Sequence, residues 1–454
     1  MSARLVIRGR RVATPEGIRP ASVHVGERSI TAVADVDSRP AGAELYDAGE
    51  ALVMPGVVDT HVHVNEPGRT EWEGFQSATD AAAAGGTTTL VDMPLNSIPA
   101  TTSAEALQTK RGAARGHCRI DVGFWGGVVP GNARELAAMA EGGALGFKCF
   151  LVESGVDEFP CVREGELRPA MAELARIGRP LLAHAELAGP IDDATAKLKA
   201  AGADPRRYAT YLASRPRAAE DDAIALLVRL IRETSARTHV VHHSSSDSLE
   251  SIRAARAAGL PLSAETCPHY LHFAAEEIPD GRTEFKCAPP IRERANREAL
   301  WAALGAGVLD LVASDHSPCT PALKKLEQGD FEQAWGGVAG LQLALSIVWT
   351  EAHKRGYGIE RVIGWMCEAP ARLAGLANRK GRLAAGFDAD VTVFDDAQTF
   401  TVDASRILHR HKVTPYAGNQ LRGVVRATFA GGRLVFEGGE IRGGRDGELI
   451  GKGS

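Results

Sequence analysis

Eight apolar runs, each followed by a stretch of helical spacing, constrain this chain more than any other feature. They lie at 52–64, 87–93, 120–128, 144–151, 180–185, 238–243, 261–266 and 309–314. Segments between them, such as 220–234 and 246–258, place Ala, Leu, Ile and Arg at helical intervals. Near-continuous apolar strands are the kind buried on both faces. Eight of them alternating with helices over roughly three hundred residues predict an α/β protein with a (β/α)8 barrel. The rival is a doubly wound open sheet, but no G-x-G-x-x-G follows the first run.

The two ends read differently. Short alternating strands are expected at 4–7, 22–25 and 30–34, and again at 389–394, 423–430 and 433–436, the last two joined by Gly431-Gly432. Neither end carries enough apolar residues for a core of its own. They are therefore expected to pair into one small discontinuous β domain, residues 1–53 plus 378–454, with the barrel at 54–377 inserted between them.

The charge balance of 52 Lys+Arg against 57 Asp+Glu, a net −5, offers no cationic excess for phosphates, so a nucleic-acid partner is not expected. No apolar stretch is long enough for a membrane span or a signal segment, and the expectation is a cytoplasmic protein with no membrane partner. Seven cysteines, at 118, 149, 161, 267, 287, 319 and 367, are odd in number and form no C-x-x-C pair. That argues against a disulfide framework and for a reducing compartment.

Catalytic side chains of such barrels gather at the C-terminal ends of the strands. Here those ends carry His61 and His63, Lys148, His184, His242-His243 and Asp315. His61 and His63 are two apart on a strand, so both rings face the same way and one metal ion can take both. An imidazole and carboxylate set without thiolate suits Zn²⁺, with Mn²⁺ or Co²⁺ as alternatives. Lys148 stands among Phe, Cys and Leu, where an ammonium is costly to bury. It is either paired with a carboxylate or a neutral amine able to capture CO₂ as a carbamate. The neighbouring histidines and aspartate favour the carbamate.

These residues resemble the cyclic amidohydrolases with dinuclear metal centres, from Met54-Pro55-Gly56-Val57-Val58-Asp59-Thr60-His61-Val62-His63 to Gly381-Arg382-Leu383-Ala384-Ala385-Gly386-Phe387-Asp388-Ala389-Asp390. The resemblance implies two divalent ions per chain. His61 and His63 would hold one, His184 and His242 the other, with carbamylated Lys148 bridging. Asp315 would bind the first metal and carry the proton between water and the ring nitrogen. His242 is preferred to His239 and His243 by the family pattern H-x-x-H-x-S-S and by strand alternation. A homotetramer is implied by the resemblance alone.

Family members that open dihydroorotate carry an arginine where this chain has Asn65. Those that open dihydropyrimidines or hydantoins place a tyrosine beyond the lysine, where this chain reads Phe150-Leu151-Val152-Glu153-Ser154-Gly155. The segments 65–74, 93–97, 154–160 and 314–319 resemble instead the members that hydrolyse allantoin to allantoate in purine degradation. A hydantoinase or dihydropyrimidinase activity is the alternative, and a catalytically silent barrel scaffold is the alternative from another class. Allantoin is a neutral ring with a ureido arm, so amide-type partners are expected. Asn96, Ser317 and the backbone near Cys287 are the candidate contacts. His269 is read as supporting the site, and His24, His117, His353, His409 and His411 as surface or core residues.

Overall fold

The computed structural model describes residues 3–451. Positions 1, 2 and 452–454 of the expected small domain lie outside the described residues. Eight parallel strand positions ring the molecule, each near an expected run. They are Val57–Val62, Thr87–Asp92, Asp121–Phe124 with its continuation Gly126–Gly127, Phe147–Phe150, Leu181–His184, Thr238–Val240, Leu262–Thr266 and Leu311–Val312. The third position is interrupted at Trp125. Its first half pairs back to Thr87–Asp92 and its second half forward to Phe147–Phe150. Val62 bridges in parallel to His316, and the His63 N–H donates to the His316 carbonyl at 2.8 Å, so the ring closes beyond the last strand.

The helices cover this ring by an apolar stripe. Helix Arg217–Thr234 buries Ala219, Ala223, Ile224, Leu227, Leu230 and Ile231, with Glu220 beside them, while Asp222, Arg229, Arg232 and Glu233 face out, the 3.6-residue periodicity expected of it. No helix among the described residues is long and apolar enough to cross a membrane. All seven cysteines are free, six of them buried.

Both chain ends meet in a nine-stranded sheet. The leading strands Leu5–Thr14, Gly17–Val25, Ile30–Ala34 and Glu44–Asp47 join the trailing strands Val391–Thr401, Gln420–Ala430, Arg433–Glu437 and Glu440–Ile441 through Leu52–Pro55. That short strand runs parallel to the first strand and antiparallel to Val391–Thr401. Its core is separate from the barrel's and is built from Ile7, Val23, Val53, Val391 and Phe429. At the Gly431-Gly432 corner both residues have positive φ, 53° and 71°, which fits a two-residue hairpin.

The run at 52–64 is thus two strands, not one. It breaks at Gly56, where an added Cβ would stand 2.1 Å from the Thr88 hydroxyl, so the close approach requires glycine. Both pieces are buried and apolar, which is why composition does not mark the switch between sheets.

A buried lysine ties the small sheet to the barrel. The Lys380 ammonium reaches Asp121 at 2.6 Å, Asp390 at 2.7 Å and Asp388 at 2.9 Å. Burial alone would discharge it, but the three carboxylates raise its pKa and keep it charged. Lys380→Met leaves buried carboxylates without a counter-charge, and is expected to cost about 3–5 kcal/mol, read as a lower denaturant midpoint at pH 7. An unchanged midpoint would show that the cluster contributes nothing.

Candidate metal centre

The strand ends deliver their polar residues into one desolvated cluster. His61 lies in Val57–Val62 and His63 directly after it. Lys148 lies in Phe147–Phe150, and His184 ends Leu181–His184. All are buried. His242 and Asp315 come after their strands have ended, and both have left-handed backbones, with φ of 40° and 45°. Such conformations cost about 1–3 kcal/mol in a non-glycine residue and persist where the surroundings enforce them. The separation of His242 from His243 therefore has a cause other than strand alternation, since the strand stops at Val240. His242 packs 4.6 Å from the His184 ring and 5.3 Å from the His61 ring, whereas His243 lies in the field of Glu220 and Arg292.

Asp315 Oδ1 stands 3.1 Å from His61 Nε2 and 3.5 Å from His63 Nε2, so these three converge as one donor set. Burial holds the His63 imidazole down to about 4 and lowers His184 and His242 as well. Near neutrality these rings are uncharged and offer lone pairs. Burial would raise the Asp315 carboxyl, but His61, His63 and His242 pull it well below its ordinary value. Asp315 is accordingly an anion.

Lys148 is the most exposed to this logic. Its Nζ is fully buried, makes no hydrogen bond, and lies 4.9 Å from the Phe150 ring centre. Burial brings its pKa down to about 8, with Asp315 and Glu265 opposing from a distance. The alternative of a lysine paired with a carboxylate is not what this geometry contains. His63 Nδ1 and His242 Nδ1 are likewise buried without partners. Buried polar atoms left in this state call for a missing partner. Neutral imidazoles, a carboxylate and an amine that can become a carbamate fit divalent metal ions.

Two carboxylates behind the cluster were not singled out by sequence. Glu265 accepts from His61 Nδ1 at 2.5 Å and pairs through its other oxygen with His239 Nε2 at 3.1 Å. His61 and His239 overcome its burial and hold it down to about 2. Glu186 pairs with His184 Nε2 at 2.7 Å and is gripped by Arg215 through two bonds, at 3.0 and 2.7 Å. Each fixes which ring nitrogen is left for a metal. A carboxylate inside the apolar run 261–266 is the same signal that marked Lys148, and it pointed to Glu265.

A cavity of about 270 Å³ opens over the cluster and is lined by His63, His184, His242 and Asp315. Asn96 and Ser317 also line it. Ser317 Oγ donates to Asp315 Oδ1 at 2.9 Å, and Asn96 Nδ2 donates to Asn65 Oδ1 at 3.0 Å. Ala288 lines the cavity, while the neighbouring Cys287 is buried with its carbonyl accepting from the Tyr211 hydroxyl at 2.6 Å. His269 is buried with both ring nitrogens unpartnered, close to Asp315 and Cys267. His24 is bonded to Ser22 and to the Ser38 carbonyl within the small sheet.

The profile of the amidohydrolase family matches residues 52–435. The chain belongs to the amidohydrolase family. Among amidohydrolases it is 52% identical over 438 residues to a Streptomyces avermitilis protein named allantoinase, covering 96% of each chain. An Arabidopsis thaliana allantoinase is 44% identical over 449 residues, 95% of this chain and 87% of the relative. The solved L-hydantoinase (dihydropyrimidinase) from Arthrobacter aurescens superposes with a TM-score of 0.94 at 32% identity, over 99% of this chain and all of that one.

If Lys148 bridges the metals, Lys148→Ala is expected to lose most bound divalent metal by elemental analysis. Added CO₂ with a short carboxylic acid is expected to restore part of it. Full metal content in Lys148→Ala would remove the bridge.

Proposed function

We propose that the protein is a hydrolase of cyclic amides that opens the ring of allantoin to give allantoate, a step of purine nitrogen degradation. One observation carries the hydrolytic reading: a buried, unpartnered Lys148 amine beside three neutral histidines and an ionised Asp315. The choice of ring is supported by relatives named allantoinase at 44–52% identity over nearly the whole chain and by the uncharged hydrogen-bonding side chains of Asn96, an amide, and Ser317, a hydroxyl, at the cavity wall.

In this reading His61, His63 and Asp315 would hold one metal and His184 and His242 the other, with the N-carboxylated form of Lys148 supplying a ligand to both. Two Zn²⁺ ions, with Mn²⁺ or Co²⁺ as alternatives for the same donors, would supply Lewis-acid polarisation of water and of the ring carbonyl. The remaining work belongs to the chain. Asp315, kept anionic by its histidine neighbours, accepts the proton of the attacking water and returns it to the departing ring nitrogen. Ser317 holds the Asp315 carboxylate in place. Glu265 and Glu186 fix the tautomers of His61 and His184. A homotetrameric, cytoplasmic enzyme is part of the same proposal.

Asp315→Asn removes the proton carrier, and kcat is expected to fall by at least ~10²–10⁴-fold in preparations of matched metal content. Near-wild-type turnover would take Asp315 out of the reaction. On one metal-loaded preparation, kcat/KM is expected to favour allantoin over hydantoin, dihydrouracil and dihydroorotate. The first two leave polar groups of the site unpaired, and for dihydroorotate the chain has Asn65 where the family members that open it carry an arginine. A preference for hydantoin or dihydrouracil would move the chain to the hydantoinase branch.

A further inference from the structure

Among the described residues, Lys286 is the one cation of the cavity wall whose charge nothing in the site uses. Arg215, the neighbouring cation, is spent on Glu186. Lys286 instead points its ammonium at two backbone carbonyls, Glu332 at 3.1 Å and Ala334 at 2.6 Å, with the Tyr211 ring centre 5.4 Å away. Among the described residues no carboxylate bonds to it, and Asp330 and Glu332 act only at longer range. Burial, then Arg215 and Lys324, bring its pKa down to about 7, as expected of a cation lacking a strong acceptor. Its backbone is fixed too, because the Gly337 N–H donates to the Lys286 carbonyl at 2.8 Å. An ammonium has three N–H donors, and the two carbonyls take two. In the protonated amine one donor is left over, and Lys286 lines the cavity together with Tyr211, Arg215 and Ala334, while His63, His184, His242 and Asp315 form the reacting end.

Resting on the allantoin reading above, we infer that Lys286 is a specificity residue whose free N–H donates to the carbonyl of the substrate's ureido arm. The arm's oxygen is a strong neutral acceptor outside the ring, and hydantoin lacks it. A donor of this kind discriminates because the ring without the arm leaves it unpaired. Lys286 acts in binding and takes no part in proton transfer.

The test uses full-length, metal-loaded enzyme carrying Lys286→Met, which keeps the stem and removes the donors. The readout is the ratio of kcat/KM for allantoin to that for hydantoin. Where hydantoin turns over too slowly, its inhibition constant against allantoin replaces its kcat/KM. The inference expects the preference for allantoin to fall about 10- to 100-fold, with metal content and melting temperature retained. Should that variant fail to fold, Lys286→Arg keeps donors for the two carbonyls but cannot place the third identically, and it is expected to shift the ratio in the same direction. Parallel losses on both substrates would make Lys286 a support for the 332–337 loop and overturn the inference, as would an unchanged ratio. Wild-type enzyme that opens hydantoin but not allantoin would instead remove the substrate reading itself, and this contact with it.

Discussion

A parallel barrel works only if its last strand returns to its first, and in this protein that closure also assembles the metal centre. Val62 pairs with His316 at the seam, and the Asp59 carboxylate accepts from the backbone of both His61 and Ser314. The two imidazoles at the end of the first barrel strand are thereby set against Asp315, which follows the last one.

Around that seam, burial does the electrostatic work. Removing water lowers the basicity of His63, His184, His242 and Lys148 together, so an assembly that would repel itself as cations becomes a set of lone pairs facing one carboxylate. Glu265 and Glu186 then act from behind, spending their charge on ring N–H groups and leaving the opposite nitrogens turned inward. The cost is visible in the left-handed backbones of His242 and Asp315.

Much of this was legible in the sequence because it is local. Eight apolar runs predicted eight strand positions, and the polar residues at their ends predicted where the cluster forms. What was not legible depends on distant pairing. The break at Gly56 is set by Thr88 pressing against it, not by any change in hydrophobicity. The orientation of His242 comes from a strand that ends earlier than its apolar run does. Arg215 and Lys286 look alike as cations between apolar segments. Only the fold reveals that one is neutralised by Glu186 while the other meets two carbonyls.

The weaving of both ends into one sheet has a consequence for how the chain is made. Leu52–Pro55 lies between partners from opposite ends, its neighbours in Val391–Thr401 being over three hundred positions downstream. During synthesis the leading strands therefore wait with an open edge until nearly the entire polypeptide has left the ribosome. Contacts of such long range form slowly, and an unpaired edge invites pairing with other chains. The nascent chain is most vulnerable to aggregation in the interval between emergence of its first sheet strands and arrival of its last, and slowing translation late in the message would lengthen that interval.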